Sequence, residues 1–151
     1  MRVRYAESDQ MGLVYHTHYL VWCEVGRTDL LRSLGRSYAD LEREGLRLAV
    51  SAVRVRYVAA ARYDDLVRVV TRVARAQSRM VTFAYELHAE EPARGLLARA
   101  ETTLVALDPE GRPCRLPRDL LEKLRAVRSN GAPFDDAGQR GRQPGLETHE
   151  R

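Results

Sequence analysis

Apolar residues recur at every second position in four consecutive segments between residues 46 and 107. In one of these segments Val81, Phe83, Tyr85 and Leu87 alternate with small or polar residues. This spacing is typical of a β-strand with one buried face. The short polar stretches between the segments predict tight turns. Consecutive strands joined by short turns pair in antiparallel fashion, so this part of the chain predicts one antiparallel sheet.

The first of the four segments changes phase along its length. Leu48 and Val50 stand in one phase of the alternation, whereas Val53 and Val55 stand in the other. Because a shift of one residue turns every later side chain to the opposite face, the strand needs an extra residue to keep its apolar face buried. We therefore expect a β-bulge or a bend near Ala52.

A helical period precedes the strands. Between Tyr19 and Leu34 the large apolar or small residues are spaced three and four apart, which predicts one buried stripe on a long helix. Gly26 lies in the middle of this stripe, where glycine costs about 1 kcal/mol relative to alanine. We therefore expect another element to pass close to the helix there. A short helix is predicted over Tyr38–Arg43, and a last helix from Pro117 to about Arg128.

Residues 2–5 alternate in the manner of a further short strand. With it, the sequence predicts an α+β fold in which one long helix packs against a curved antiparallel sheet of five strands. We expect one folded domain over residues 1–128. Residues 129–151 are rich in glycine, proline and charge and poor in large apolar side chains, so they are interpreted as a polar tail.

The composition narrows the classes of protein that remain. The net charge is +4, and 24 of the 25 basic residues are arginine, but the chain has no zinc-finger spacing, no RNA-binding aromatic motif and no concentrated basic block. We therefore expect no nucleic-acid partner. The sequence also lacks an apolar run of the roughly 20 residues that cross a membrane. Two distant cysteines, Cys23 and Cys114, are typical of a reducing compartment, so we expect a cytoplasmic protein without a membrane span.

Several catalytic motifs are absent from the sequence. There is no Gly-x-Ser-x-Gly elbow, no phosphate-binding loop, no Gly-x-Gly-x-x-Gly and no Cys-x-x-Cys pair, which excludes the usual serine hydrolase, nucleotide hydrolase and dinucleotide-binding patterns. His16 and His18 are two residues apart and would point in different directions on a helix. We expect no metal site.

The segment from Arg2 to Tyr19 combines features that favour carbonyl chemistry. Asp9 lies in a polar loop, Gly12 permits a tight bend, and the free amides at the start of the long helix follow. Such amides can polarise a carbonyl, while a nearby carboxylate activates water or attacks directly. A loop aspartate can equally be a solvated turn residue.

The same segment resembles the active-site signature of the 4-hydroxybenzoyl-CoA thioesterase family of hotdog-fold acyl-CoA thioesterases. Within that family it is most similar to the branch associated with the bacterial Tol-Pal cluster. Ser8 and Leu13 are mild departures from the pattern. The positions that carry the resemblance are Arg2, Val3, Ser8, Asp9, Gly12, Leu13, Val14, Tyr15, His16 and Tyr19. The resemblance covers roughly residues 2–125.

The resemblance implies a function and roles for individual residues. It implies hydrolysis of an acyl-CoA thioester to a carboxylic acid and free CoA, without a cofactor. Asp9 matches the catalytic carboxylate, either base or nucleophile, and the backbone amide of His16 matches the group that polarises the thioester carbonyl. Tyr5 and Tyr15 are expected neighbours of the acyl group. Members of the family form homodimers, often paired into tetramers.

Three arginines, Arg54, Arg56 and Arg62, could bind the phosphates of CoA, although alternating arginines on an exposed strand are often merely solvated. A non-catalytic hotdog module that binds acyl-CoA or an acyl carrier protein is the alternative function. Turnover of acyl-CoA, or tight binding without turnover, separates the two hypotheses.

Overall fold

The structure, a computed structural model, describes residues 1–90 and 95–129. Two helices come first, α1 over His18–Ser33 and α2 over Tyr38–Arg43. Four strands follow, and a last helix ends the described chain. Their bounds are β1 Arg47–Tyr57, β2 Val67–Ala76, β3 Met80–Ala89, β4 Leu96–Leu107 and α3 Arg118–Ala126. The expected α+β arrangement of a long helix on an antiparallel sheet is confirmed.

The strands form one antiparallel sheet in the order β1-β4-β3-β2. The central strand β3 shows the alternation that its sequence predicts, since every second side chain from Val81 to Ala89 is buried. The buried face of the sheet packs on α1, whose Tyr19, Trp22 and Leu31 enter the same core. Burial of this continuous apolar face is the main stabilising term of the fold.

Gly26 lies where α1 approaches β2 closely. A Cβ atom built on Gly26 would overlap the hydroxyl of Thr71 on β2 and would lie 3.2 Å from Cγ1 of Val69. The helix can therefore reach this distance from β2 because residue 26 has no side chain. The expectation of a close approach at Gly26 is confirmed.

The predicted bulge in the first strand is present. The pairing of β1 with β4 shifts register between Val50 and Ala52, so that Ser51 is the extra residue. Leu48, Val50, Val53 and Val55 thereby share one face of the sheet despite their change of phase.

The expectation of five strands was wrong, because the described sheet has four. Residues 2–5 do not form a strand: Arg2 makes a single antiparallel bridge to Leu66, and a 3-10 turn begins at Tyr5. The turn forms because the side chain of Glu7 folds back and accepts hydrogen bonds from the backbone and the guanidinium of Arg4. This local capping outcompetes further pairing with the sheet.

The last helix is shorter than predicted, since it ends at Ala126 rather than near Arg128. Apart from Ser129, the predicted tail over residues 129–151 lies outside the described residues. No helix in the described ranges is long and apolar enough to cross a membrane.

Candidate active site

A cavity of about 370 Å³ opens beside the start of α1. Its wall combines the loop before α1, the first residues of the helix region and the segment that follows β1. The lining residues are Asp9, Leu13, Val14, Tyr15, His16, Tyr19, Tyr57, Val58, Ala59 and Ala60. The fold therefore brings Asp9, Tyr15 and His16, three residues that the sequence analysis selected, to one cavity.

Asp9 lies in a tight loop, and hydrogen bonds to both its backbone and its side chain hold this loop. Its amide donates to the carbonyl of Leu13 at 2.9 Å, and its carbonyl accepts from the amide of Gly12 at 2.9 Å. The carboxylate oxygen Oδ1 accepts a 2.8 Å hydrogen bond from the amide of Met11. Gly12 adopts a φ of 70°, a conformation that favours glycine. The loop thus presents an exposed, oriented carboxylate at the cavity.

The turn that leads into α1 also lines the cavity, through Tyr15 and His16. His16 comes two residues before the first helical residue, and its ring lies 4.4 Å from the ring of Tyr15 between centroids. The hydroxyl of Tyr57 donates a 2.8 Å hydrogen bond to the carbonyl of His16. Within the described residues, the amide of His16 donates to no acceptor. The free amides at a helix start favour a negatively charged or polarised oxygen.

Two tyrosines complete the wall as neutral phenols. Burial raises the pKa of Tyr19, whose hydroxyl accepts a 2.9 Å hydrogen bond from the amide of Ala61. Burial also raises the pKa of Tyr57, with the neighbouring Tyr19 adding to it. Both phenols therefore remain protonated at neutral pH.

Burial raises the pKa of the Cys23 thiol to about 12, so this cysteine is not a nucleophile at neutral pH.

Tyr5 and the three arginines do not line the cavity. The ring of Tyr5 is 80% exposed and makes an edge contact with Tyr63 at 5.6 Å between centroids. Arg54 and Arg56 alternate with Tyr57 on β1, so they lie on the face of the sheet that points away from the cavity. Arg62 follows the cavity wall by two residues, and its amide donates to the carboxylate of Asp65.

The sequence analysis did not select Tyr57, Val58, Ala59 or Ala60 for the site. Tyr57 was interpreted as one member of an alternating strand, and its link to His16 spans 41 residues of sequence. No local spacing signals such a contact.

Across the described ranges, no group of three or more histidine, cysteine, aspartate or glutamate side chains is arranged to hold a metal ion.

A comparison with protein families matches residues 3–124 to the Thioesterase-like superfamily. This chain belongs to that superfamily. The Bacillus subtilis protein YneP, named as an acyl-CoA thioesterase, is 37% identical over 110 residues, covering 73% of this chain and 78% of YneP. The acyl-CoA thioester hydrolase YbgC of Escherichia coli is 30% identical over 126 residues, covering 83% of this chain and 92% of YbgC.

A solved structure agrees with this membership. The DHNA-CoA thioesterase from Staphylococcus aureus superimposes with a TM-score of 0.77 at 32% identity, covering 84% of this chain and 89% of that one. The expected hotdog fold and the expected enzyme class, a thioesterase, are thereby confirmed for this superfamily member.

Proposed function

We propose that this thioesterase hydrolyses an acyl-CoA to a carboxylic acid and free CoA at the cavity beside α1. The observation that carries the proposal is that Asp9 and the helix start at His16 line the same cavity. A carboxylate and a backbone donor at one cavity are the two groups that thioester hydrolysis needs. The relatives named as acyl-CoA thioesterases support CoA as the thiol component.

The thioester carbonyl would lie with its oxygen toward the amide of His16 and its carbon toward Asp9. As a base, Asp9 takes a proton from water while the water oxygen bonds to the carbonyl carbon. The amide stabilises the negative oxygen of the tetrahedral intermediate, and the C–S bond then breaks to release the CoA thiolate. As a nucleophile, Asp9 bonds to the carbonyl carbon itself, the C–S bond breaks to release the CoA thiolate, and water then hydrolyses the resulting anhydride to the free acid and the Asp9 carboxylate.

The test compares Asp9→Asn with wild type over a panel of aliphatic and aromatic acyl-CoA substrates, with detection of the free thiol. We expect kcat to fall at least about a hundredfold, the usual contribution of such a group. Asp29→Asn is the matched control, because Asp29 is an exposed aspartate of α1 that pairs with Arg32 away from the cavity. Wild-type turnover by Asp9→Asn would refute the role of Asp9.

One further variant and one isotope experiment refine the roles. His16→Ala keeps the backbone amide, so it should lose less activity than Asp9→Asn if the amide polarises the carbonyl. A single turnover in ¹⁸O-labelled water places the label in the Asp9 carboxylate only along the nucleophilic path. Tight acyl-CoA binding without turnover of any substrate would instead favour the non-catalytic binding module.

We also propose that the functional unit contains a second copy of the chain. The sheet order leaves β1 at an edge, and its valines are unusually exposed, with Val50 at 46% and Val53 at 47%. Val21 and Val25 of α1 are 48% and 43% exposed. A long strand edge that carries exposed apolar side chains favours pairing with another chain, and so do exposed valines on a helix. A homodimer, or two such dimers in a tetramer, would cover this surface.

The remaining assignments belong to the same proposal. Tyr15 would lie near the acyl group in the cavity of its own chain. Arg54, Arg56, Arg62 and Tyr5 do not line that cavity, so they would meet the CoA phosphates and the acyl group of a substrate bound at the second copy. Substitution of each arginine by alanine should then raise KM for acyl-CoA more than KM for a substrate that lacks the nucleotide.

The two cysteines, Cys23 and Cys114, are free and far apart in the sequence, which supports a cytoplasmic location. The Tol-Pal-associated branch remains our proposed subgroup.

A further inference from the structure

Glu7, two residues before Asp9, is a carboxylate buried inside the protein. Its exposed fraction is 3%, although it lies in a polar stretch of the sequence. Three donors surround it: the amide of Arg4 at 2.7 Å, the guanidinium of Arg4 at 3.0 Å and the indole Nε1 of Trp22 at 3.1 Å. Trp22 belongs to α1 and is itself buried. The carboxylate therefore links the N-terminal turn to the long helix.

The backbone of Glu7 closes the loop that carries Asp9. Its carbonyl accepts a 2.9 Å hydrogen bond from the amide of Tyr15, and the next pair, Ser8 and Val14, forms an antiparallel bridge. Residues 8–14 thus form a narrow loop with Glu7 and Tyr15 at its neck. One side of the neck leads to Asp9, and the other leads to His16 and the helix start. A change in the geometry of this neck would therefore shift Asp9 relative to His16.

The carboxylate is held in its charged form by its neighbours. Burial alone raises the pKa of Glu7, but the hydrogen bonds from Arg4 and Trp22 outweigh burial and lower it. Hydrogen bonds to a buried charge are stronger than those between neutral groups. Removal of the carboxylate also leaves the buried indole N–H of Trp22 without an acceptor, which is costly inside a protein. The link between the loop neck and α1 is therefore a strong one.

We propose that Glu7 is a positioning residue for thioester hydrolysis, since its carboxylate ties the neck of the Asp9 loop to Trp22 in α1. This inference rests on the proposed role of Asp9. Glu7 does not line the cavity, so it acts through the loop rather than by touching the substrate. Small displacements of a reacting group cost large factors in rate while binding is retained. Loss of Glu7 should accordingly lower kcat more than it changes KM.

The test uses Glu7→Ala and Glu7→Gln with Asp9→Asn measured in parallel. Glutamine keeps one acceptor oxygen for the indole but places an amide donor where Arg4 needs an acceptor. For Glu7→Ala we expect kcat to fall by about tenfold to a hundredfold with KM changed by less than about twofold. Glu7→Gln should give a smaller loss of kcat. Because Trp22 is the single tryptophan, its fluorescence should shift in Glu7→Ala and report the broken link directly.

Thr102→Val is the control for a loss of stability alone. Thr102 is also 3% exposed and pairs with the hydroxyl of Tyr85 at 2.8 Å, in the core of the sheet. The Thr102→Val variant should have a lower midpoint of thermal unfolding and an unchanged kcat. An equal loss of kcat in Thr102→Val and Glu7→Ala would overturn the positioning role. Folding of each variant is checked by circular dichroism.

The outcomes separate this inference from the proposed function. If Asp9→Asn is inactive and folded Glu7→Ala keeps wild-type kcat, the role of Glu7 falls and that of Asp9 stands. If Glu7→Ala does not fold, wild-type kcat in Glu7→Gln overturns the inference, and a reduced kcat with unchanged KM supports it. If Asp9→Asn keeps wild-type activity, the role of Asp9 falls, and the role of Glu7 falls with it.

Discussion

The hydroxyl of Tyr57, at the end of β1, donates a 2.8 Å hydrogen bond to the backbone carbonyl of His16, just before α1. This bond joins the end of the sheet to the turn before α1, and both residues line the cavity. The ring of Tyr57 also packs edge-on against Tyr19 at 5.2 Å between centroids. One tyrosine thus holds two walls of the site together.

Tyr57→Phe should lower kcat/KM about fivefold, because a neutral hydrogen bond of this kind contributes about 1 kcal/mol. The ring contacts persist in the variant, so the effect isolates the hydroxyl. Tyr63→Phe is the matched control, since Tyr63 contacts Tyr5 through its ring. Steady-state hydrolysis of one acyl-CoA measures kcat/KM for Tyr57→Phe and for Tyr63→Phe. An unchanged kcat/KM in Tyr57→Phe would show that the hydroxyl does not support the site.

Gly26→Ala should destabilise the protein although alanine is the better helix former. The new Cβ would overlap the Thr71 hydroxyl, and such overpacking costs about 1–3 kcal/mol against a gain of about 1 kcal/mol in helix propensity. Urea unfolding measures the change. Thr71→Ala in the same chain removes the overlapping atom, so the double variant should regain most of the loss. A Gly26→Ala protein more stable than wild type would contradict the close approach.

Val53→Arg should weaken self-association through β1. The valine is half exposed in the single chain, so the isolated subunit tolerates the change, whereas an unpaired charge buried between subunits costs about 3 kcal/mol. That cost weakens a dimer about a hundredfold. Ala52→Arg is the control on the opposite face of the same strand. Sedimentation velocity measures the assembly, and a monomeric wild type would contradict the proposed pairing.

Glu7 should make stability depend on acid pH. Its pKa is lowered below the ordinary value of 4.5, so its ionised form stabilises the folded state fully above that value, and this contribution is lost as the pH falls through the folded pKa. Glu7→Gln should cost about 2 kcal/mol at neutral pH, the contribution of hydrogen bonds to a charged group. The difference in unfolding free energy from wild type should shrink below about pH 4.5. A difference that stays constant into strong acid would argue against an ionised Glu7.

Local spacing was sufficient to predict most of the secondary structure. The alternation over β3 and the phase change between Val50 and Ala52 reflect backbone geometry that neighbouring residues determine. Gly26 indicated a close approach, but only the tertiary structure shows that β2 makes it. The same spacing failed for residues 2–5. There the outcome depends on Glu7, whose carboxylate finds a partner in Trp22 fifteen positions away.

By itself, the sequence determined the order of the elements, the antiparallel sheet and the Asp9 to His16 segment that identifies the family. Only the tertiary structure decided which residues share the cavity, because Tyr57 at the end of β1 meets His16, 41 positions away in the sequence, and the residues after Tyr57 line the same space. It also decided that Glu7 is buried and that the valines of β1 are exposed. Periodicity is a property of neighbouring residues, whereas burial depends on which distant segments pack together.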